Sequence, residues 1–206
     1  MFFKVTALKR IVLSWAGFAL IFSLNGVAQD VRSEVSAEGT GFFTKDSNGN
    51  GISNKVTESG GLQVGYRYNI NEWLAAEADY GYTRNTQSYS SAASARVQSD
   101  VHAITGIGAV KLPTFHHFKP FVLAGAGALV FDPTGNTGAS LAGATRETKG
   151  DFVYGAGLDY PLNQHFAIRA EYRGFVYKAP SFNQASLETD SWTHTAQPSA
   201  GIVYRF

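Results

Sequence analysis

The stretch Thr193 to Phe206, THTAQPSAGIVYRF, decides the fold. Counting back from its end, Phe206, Tyr204, Ile202, Ala200 and Pro198 fall on one face of an extended strand. Arg205, Val203, Gly201, Ser199 and Gln197 fall on the other, because strand side chains alternate. One face is apolar with aromatics at its end; the other is mostly polar. A tilted strand of about ten residues crosses the hydrocarbon of a bilayer. An apolar face turned to lipid over a polar interior is the pattern of a transmembrane barrel strand.

The same alternation recurs in seven further segments separated by turn residues, and repetition gives a weak per-strand pattern its force. The first, Val31 to Phe43, sets Val35, Ala37, Gly39, Gly41 and Phe43 against Glu34, Ser36, Glu38 and Thr40. The loop Thr44 to Lys55, TKDSNGNGISNK, is rich in Asn, Gly, Ser and Asp and is expected to leave the sheet. The second strand, Val56 to Tyr68, puts Leu62, Val64, Tyr66 and Tyr68 outward and Gln63, Gly65 and Arg67 inward. The third, Trp73 to Tyr82, turns Leu74, Ala76, Ala78, Tyr80 and Tyr82 outward and Glu77 and Asp79 inward, and a polar loop, Thr83 to Ala95, follows it.

The fourth strand, Arg96 to Val110, reads with Val101, Ala103, Ile107 and Ala109 toward lipid and Gln98, Asp100 and His102 inside. The fifth, Lys119 to Phe131, contains FVLAGAGALVF, which is apolar on both faces, so its phase is open. The sixth, Thr148 to Tyr160, opposes Phe152, Tyr154, Ala156, Leu158 and Tyr160 to Asp151, Val153, Gly155, Gly157 and Asp159. The seventh, His165 to Tyr177, puts Phe166, Ile168, Ala170 and Tyr172 outward and Arg169, Glu171 and Arg173 inward.

Connections are long after odd strands and short after even ones, the asymmetry of barrels with short periplasmic turns and longer outer loops, so both termini are expected in the periplasm. Tyr68, Trp73, Tyr160, Phe166, Tyr204 and Phe206 gather toward the short turns, and Phe43, Tyr82, Phe131, Phe152 and Trp192 toward the long loops, as two aromatic girdles.

Composition agrees with one barrel domain, residues 29–206. Hydrophobic residues make up 44% of the 206, yet beyond the amino terminus no apolar run is long enough for a spanning helix. The absence of Cys excludes a disulfide framework and thiol chemistry. Lys4, Lys9 and Arg10 precede the apolar run Ile11 to Leu24, and Gly26 to Ala28 supply small residues for cleavage, so residues 1–28 read as a signal peptide. The 17 basic residues less these three leave 14 against 16 acidic, a balance that argues against a nucleic-acid partner.

With Ile202 and Tyr204 before the terminal Phe206, the chain end resembles the carboxy-terminal signature by which the barrel-assembly machinery recognises bacterial outer-membrane proteins. Val31 to Phe206 as a whole resembles the small OmpA-like and OmpX-like outer-membrane barrels. The resemblance implies an all-β protein, an eight-stranded antiparallel up-and-down transmembrane β-barrel. It implies a monomer in outer-membrane lipid with four surface loops, a structural or surface-interaction role, no enzymatic activity and no cofactor.

An eight-stranded barrel is just wide enough for side chains to fill it, so inward charges must satisfy one another. Arg67, Arg169, Arg173 and Arg205 are expected in the lumen with Glu38, Glu77, Asp79, Asp159 and Glu171, as bridges of the kind OmpA-like barrels carry. A narrow pore is the alternative. A lipid-modifying enzyme is another, because His194 resembles the histidine of outer-membrane lipid A deacylases, but the nucleophile position two residues on is Ala196. His116 and His117 lie in a turn without further ligands and read as solvated. Asp46, Asn48, Asn50 and Gly51 begin like a calcium loop, but the closing position holds Thr57, which leaves an Asn-Gly turn.

Overall fold

The structure is a computed structural model that describes residues 32–90, 94–134, 145–182 and 188–206. The expected signal peptide lies outside them. Ten strands run in the order β1 (Ser33–Thr44), β2 (Ser47–Gly49), β3 (Ile52–Val56), β4 (Ser59–Asn69), β5 (Leu74–Ser90), β6 (Ser94–Lys111), β7 (Lys119–Pro133), β8 (Glu147–Pro161), β9 (Phe166–Lys178) and β10 (Trp192–Arg205). Eight of them close an antiparallel barrel. From β4 to β10 each strand pairs with the next, and β1 pairs with both β4 and β10. Closure gives each of these strands two hydrogen-bonded neighbours, the condition for a sheet to sit in lipid.

The seam joins the first strand to the last, with Glu34 opposite Arg205 and Val35 opposite Tyr204. Two further bonds tie its end: Phe206 N donates to the Ser33 carbonyl at 2.9 Å, and Ser33 N to that of Phe206 at 3.2 Å. Two of the short turns share one device. Asn71 Oδ1 accepts from Trp73 N and Leu74 N, both at 2.8 Å, and Asn163 Oδ1 accepts from His165 N and Phe166 N at 2.9 and 2.8 Å. An Asn side chain thus stands in for backbone acceptors where the chain reverses.

At the long-loop end the sheet continues further than the alternating apolar pattern. The Thr44 to Lys55 segment does not leave the sheet. It forms the β2–β3 hairpin, turned by Asn50 (φ 51) and Gly51 (φ 74), and β3 pairs with the extension of β5. Asn-Gly supplies the two positive φ angles such a turn requires. Most of the expected polar loop Thr83 to Ala95 is also strand, with Thr83, Asn85, Gln87 and Tyr89 buried on the inner face and Arg84 and Ser90 exposed on the outer. A strand outside hydrocarbon is polar outward, so hydropathy alone does not reveal it.

The phase of β6 reverses the sequence expectation. Val97, Val101, Ile107 and Ala109 are buried inside, and Ile104 and Val110 face outward, with Gln98, Asp100 and His102 on that outer face. The phase of β7 follows: Phe121, Leu123, Leu129 and Phe131 point inward. Phe131 therefore belongs to the interior and not to an aromatic girdle. Between these strands, a β-carbon on Gly127 would collide with the Ile104 carbonyl oxygen and lie 2.7 Å from Thr105 Cγ2, so only glycine fits. The reason for the reversal is that this wall of the lumen is apolar. Its residues join Val153, Phe175, Tyr177 and Phe182 in one hydrophobic cluster.

The β6 phase can be tested by cysteine labelling of the barrel in vesicles. Ile104→Cys should react with an apolar, bilayer-partitioning maleimide, and Ile107→Cys should stay protected until the barrel is unfolded.

Candidate functional site

The inward faces of the eight strands fill the lumen in layers. At the short-turn end lies a cavity of about 430 Å³, with Glu34, Arg67, Asn69, Lys111, Phe121 and Arg205 among its lining. Beyond it comes a belt of ion pairs. All nine charges expected inside, Glu38, Arg67, Glu77, Asp79, Asp159, Arg169, Glu171, Arg173 and Arg205, are buried there.

Arg169 donates to both oxygens of Asp159, through Nε at 2.7 Å and Nη2 at 2.9 Å, and to Glu34 Oε2 at 3.1 Å. Arg205 bridges the same two acids, reaching Glu34 Oε1 at 3.2 Å and Asp159 Oδ2 at 3.1 Å. Arg173 spans three acids: Glu77 at 2.6 Å, Asp79 at 2.8 Å and Glu171 on its own strand. Arg67 pairs with Glu77 and lays its guanidinium 4.2 Å over the Phe121 ring, which Arg169 also meets at 5.1 Å. Phe121 thus gives the apolar wall a ring face on which the charged belt packs. Glu34 joins the nine from the same face of β1 as Glu38, and that shared parity is its signal in the sequence. Glu38 itself is bound by Ser199, whose Oγ donates at 2.6 Å.

Above the belt, Gln197 Nε2 donates to Gln63 Oε1 at 3.0 Å, and beyond it Phe42, Phe175, Leu129 and Phe131 form an apolar layer beside the buried amides Asn85 and Gln87. The first residues of the β9–β10 connection, Ala179 to Phe182, pack into this end. Phe182, fully buried, packs edge-on against Tyr89 and Phe131 with ring centres 6.4 and 6.3 Å away. The Tyr89 hydroxyl lies 2.7 Å from the Pro180 carbonyl oxygen. Glu147 Oε2 accepts from the backbone N–H groups of Ser181 and Phe182, both at 2.7 Å, and Lys149 Nζ lies 2.7 Å from Glu147 Oε1.

The remaining candidates fall elsewhere. His194 lies on the outer wall, its Nε2 3.0 Å from the Tyr154 hydroxyl. Thr195 and Ser199 point inward to Tyr177 and Glu38, so the strand's alternation keeps both hydroxyls from His194. His117 stacks obliquely near Tyr160, and His116 takes a positive φ of 54 in the β6–β7 turn. Asp46 to Gly51 lies along the β2–β3 hairpin, where Asn50 Nδ2 donates to the Glu188 carbonyl at 3.0 Å. Among the described residues no group of three or more His, Asp or Glu is arranged to hold a metal ion. Of the terminal signature, Ile202 and Tyr204 face outward, and Tyr204 stacks on Phe206 with ring centres 5.9 Å apart.

The family model for the outer membrane protein beta-barrel domain matches residues 15–206. The chain belongs to that family. Membership places this barrel in the outer membrane. Its fold is shared with outer membrane protein OprG of Pseudomonas aeruginosa, at 13% identity and a TM-score of 0.61 over 86% of this chain and 97% of that one. Neisserial surface protein A gives 17% identity and 0.58 over 84% and 97%. Ail, the attachment invasion locus protein of Yersinia pestis, gives 17% and 0.51 over 86% and 100%. At such identities the likeness is one of fold. No curated protein matches the sequence.

Two outcomes test the barrel's interior. Arg169→Leu leaves Asp159 and Glu34 under-compensated in a buried site, which costs on the order of 3–5 kcal/mol. In urea unfolding from lipid vesicles it should destabilise far more than the lipid-facing Ile168→Leu. The second concerns Glu147 at the covered end. Burial pushes its carboxyl up, but the Lys149 ammonium and the Phe182 and Ser181 amides outweigh that and hold it below the usual carboxylate range. A depressed carboxyl stabilises the fold above its unfolded pKa and loses that contribution as pH falls through the folded value. Exchange protection of the Ser181 and Phe182 amides should therefore persist down through the ordinary carboxylate range and vanish only below it. In Glu147→Ala it should be absent at neutral pH.

Proposed function

We propose that this barrel has a structural or surface-interaction role, holding its long loops outside the cell on a lumen that is packed shut, with both termini in the periplasm. The observation that carries the reading is the filling of the lumen beyond the short-turn cavity: the Arg173 and Arg169 ion pairs, then Gln63 with Gln197, then the aromatic layer under Phe182. A filled lumen leaves recognition to the loops. The barrel-assembly machinery would engage the exposed Ile202, Tyr204 and Phe206 end, and the inserted chain would stand as a monomer surrounded by outer-membrane lipid.

The purified barrel in planar bilayers should give no stepwise conductance at neutral pH. Steady single-channel currents would replace this reading with that of a narrow pore. On intact cells, a membrane-impermeant maleimide should label Asn50→Cys in the β2–β3 turn and spare Gln164→Cys in the β8–β9 turn. The opposite pattern would invert the orientation.

A further inference from the structure

The cavity at the short-turn end, about 430 Å³, has the ion belt behind it and falls within the range of about 300–1,000 Å³ that takes small molecules. The acids on its wall are already bonded. Asp159 Oδ1 accepts from Arg169, and its Oδ2 from Arg169 and Arg205. Glu34 Oε1 accepts from Asn69 and Arg205, and its Oε2 from Arg169. Glu72, the remaining acid of the lining, is exposed in the β4–β5 turn.

The cations are not so matched. Lys111 on β6 and Lys119 on β7 line the cavity from adjacent strands, and Lys111 stands opposite Phe121, two residues along the same face from Lys119. Diagonal neighbours of this kind are about 7–8 Å apart, within reach of long side chains, and like charges so placed repel. Neither ammonium forms an ion pair or a hydrogen bond with the described residues. The Arg67 guanidinium, buried on the same wall, lies 4.2 Å over the Phe121 ring, and of its donors only Nε is used, toward Glu77. Its Nη1 and Nη2 come only within 3.9 Å of Asp159 and Glu171, beyond hydrogen-bond reach, and Nη2 is buried without a partner. Against these donors, Asn69 Oδ1 is the one buried acceptor of the lining left unbonded among the described residues. Donors in excess over acceptors call for an anion.

We propose that the short-turn mouth of the lumen binds a phosphate group, clamped between the Lys111 and Lys119 ammonium groups and resting on the side of the Arg67 guanidinium. A phosphate presents acceptor oxygens in several directions, so lysines from two strands and an arginine from a third can bond it together. The belt closes the cavity inward, so the site retains its ligand and does not conduct it. Free phosphate and the headgroup of a membrane lipid offer the same chemistry here, and the experiment separates them.

The test is calorimetric titration of inorganic phosphate into the barrel, refolded without phosphate in a sugar-headgroup detergent. Saturable binding should appear with phosphate and not with chloride at equal ionic strength. Lys111→Gln combined with Lys119→Gln should weaken it by about tenfold or more, through the loss of two charge-assisted contacts. Neither lysine has a partner in the belt, so the belt's ion pairs stay intact. In side-chain NMR spectra of the wild type, phosphate should shift the Arg67 Nε resonance and leave that of Arg173, which is not part of the lining. No saturable binding, equal binding in the double variant, or binding that leaves Arg67 unmoved would overturn the site. Repetition in phosphatidylcholine vesicles assigns the source. Undiminished binding there supports the site with a soluble phosphate as ligand, and loss of binding supports it with a lipid headgroup already seated. If the double variant does not refold, the wild-type titration and the Arg67 resonance decide.

Discussion

Everything in this molecule answers to the width of an eight-stranded barrel. Side chains fill most of such an interior, so each inward residue must find its partner within a few ångströms or leave a charge or polar atom stranded in a low-dielectric space. The Arg173 guanidinium shows how narrow the allowance is, since one side chain meets acids on its own strand and on β5. Multidentate pairing turns an expensive set of buried charges into a rigid cross-brace.

The lumen solves the same constraint twice, by charge toward the short turns and, toward the long loops, by apolar packing with paired amides and hydroxyls beside it. Phe121 joins the two solutions, offering its ring face to Arg67 and Arg169 while its edge continues the wall of Leu123 and Ile107. The division also separates two kinds of stability. The charged belt depends on ion pairing, whereas the aromatic layer under Phe182 depends on a covering segment fastened by the Glu147 carboxylate.

Strands β4, β8, β9 and β10 were legible in the sequence because they carry charge or amide groups on one face and aliphatic or aromatic residues on the other over their whole membrane span. The charged cluster was legible for the same reason: parity alone sent Arg169, Glu171 and Arg173 inward. Strand β6 was not. Its Gln98, Asp100 and His102 drew the polar face toward the lumen, but these residues lie toward the long loops, where the outer wall is polar and the inner wall of β6 and β7 is mainly apolar. The rule of polar inside and apolar outside holds only at the height of the hydrocarbon. Read from Ile104 and Ile107, both apolar and of opposite parity, the phase of that strand had no charge to settle it.

The outer wall obeys a version of the same rule. Polar side chains that face outward are matched across neighbouring strands: the Tyr80 hydroxyl lies 2.7 Å from His102 Nδ1, Arg84 bonds Asp100 through Nε at 2.6 Å and Nη2 at 3.0 Å, and Tyr154 reaches His194. Tyr154 and His194 are on β8 and β10, and their bond crosses β9 at Gly174. A β-carbon on Gly174 would lie 2.6 Å from the Tyr154 ring and 2.8 Å from His194 Nε2, so the absent side chain is what allows the bridge. A polar group near lipid is tolerated when its partner is already bonded to it. The sequence therefore pairs its tyrosines and histidines on the outside for the reason it pairs its arginines and acids within: neither lipid nor a filled lumen will supply the missing hydrogen bond.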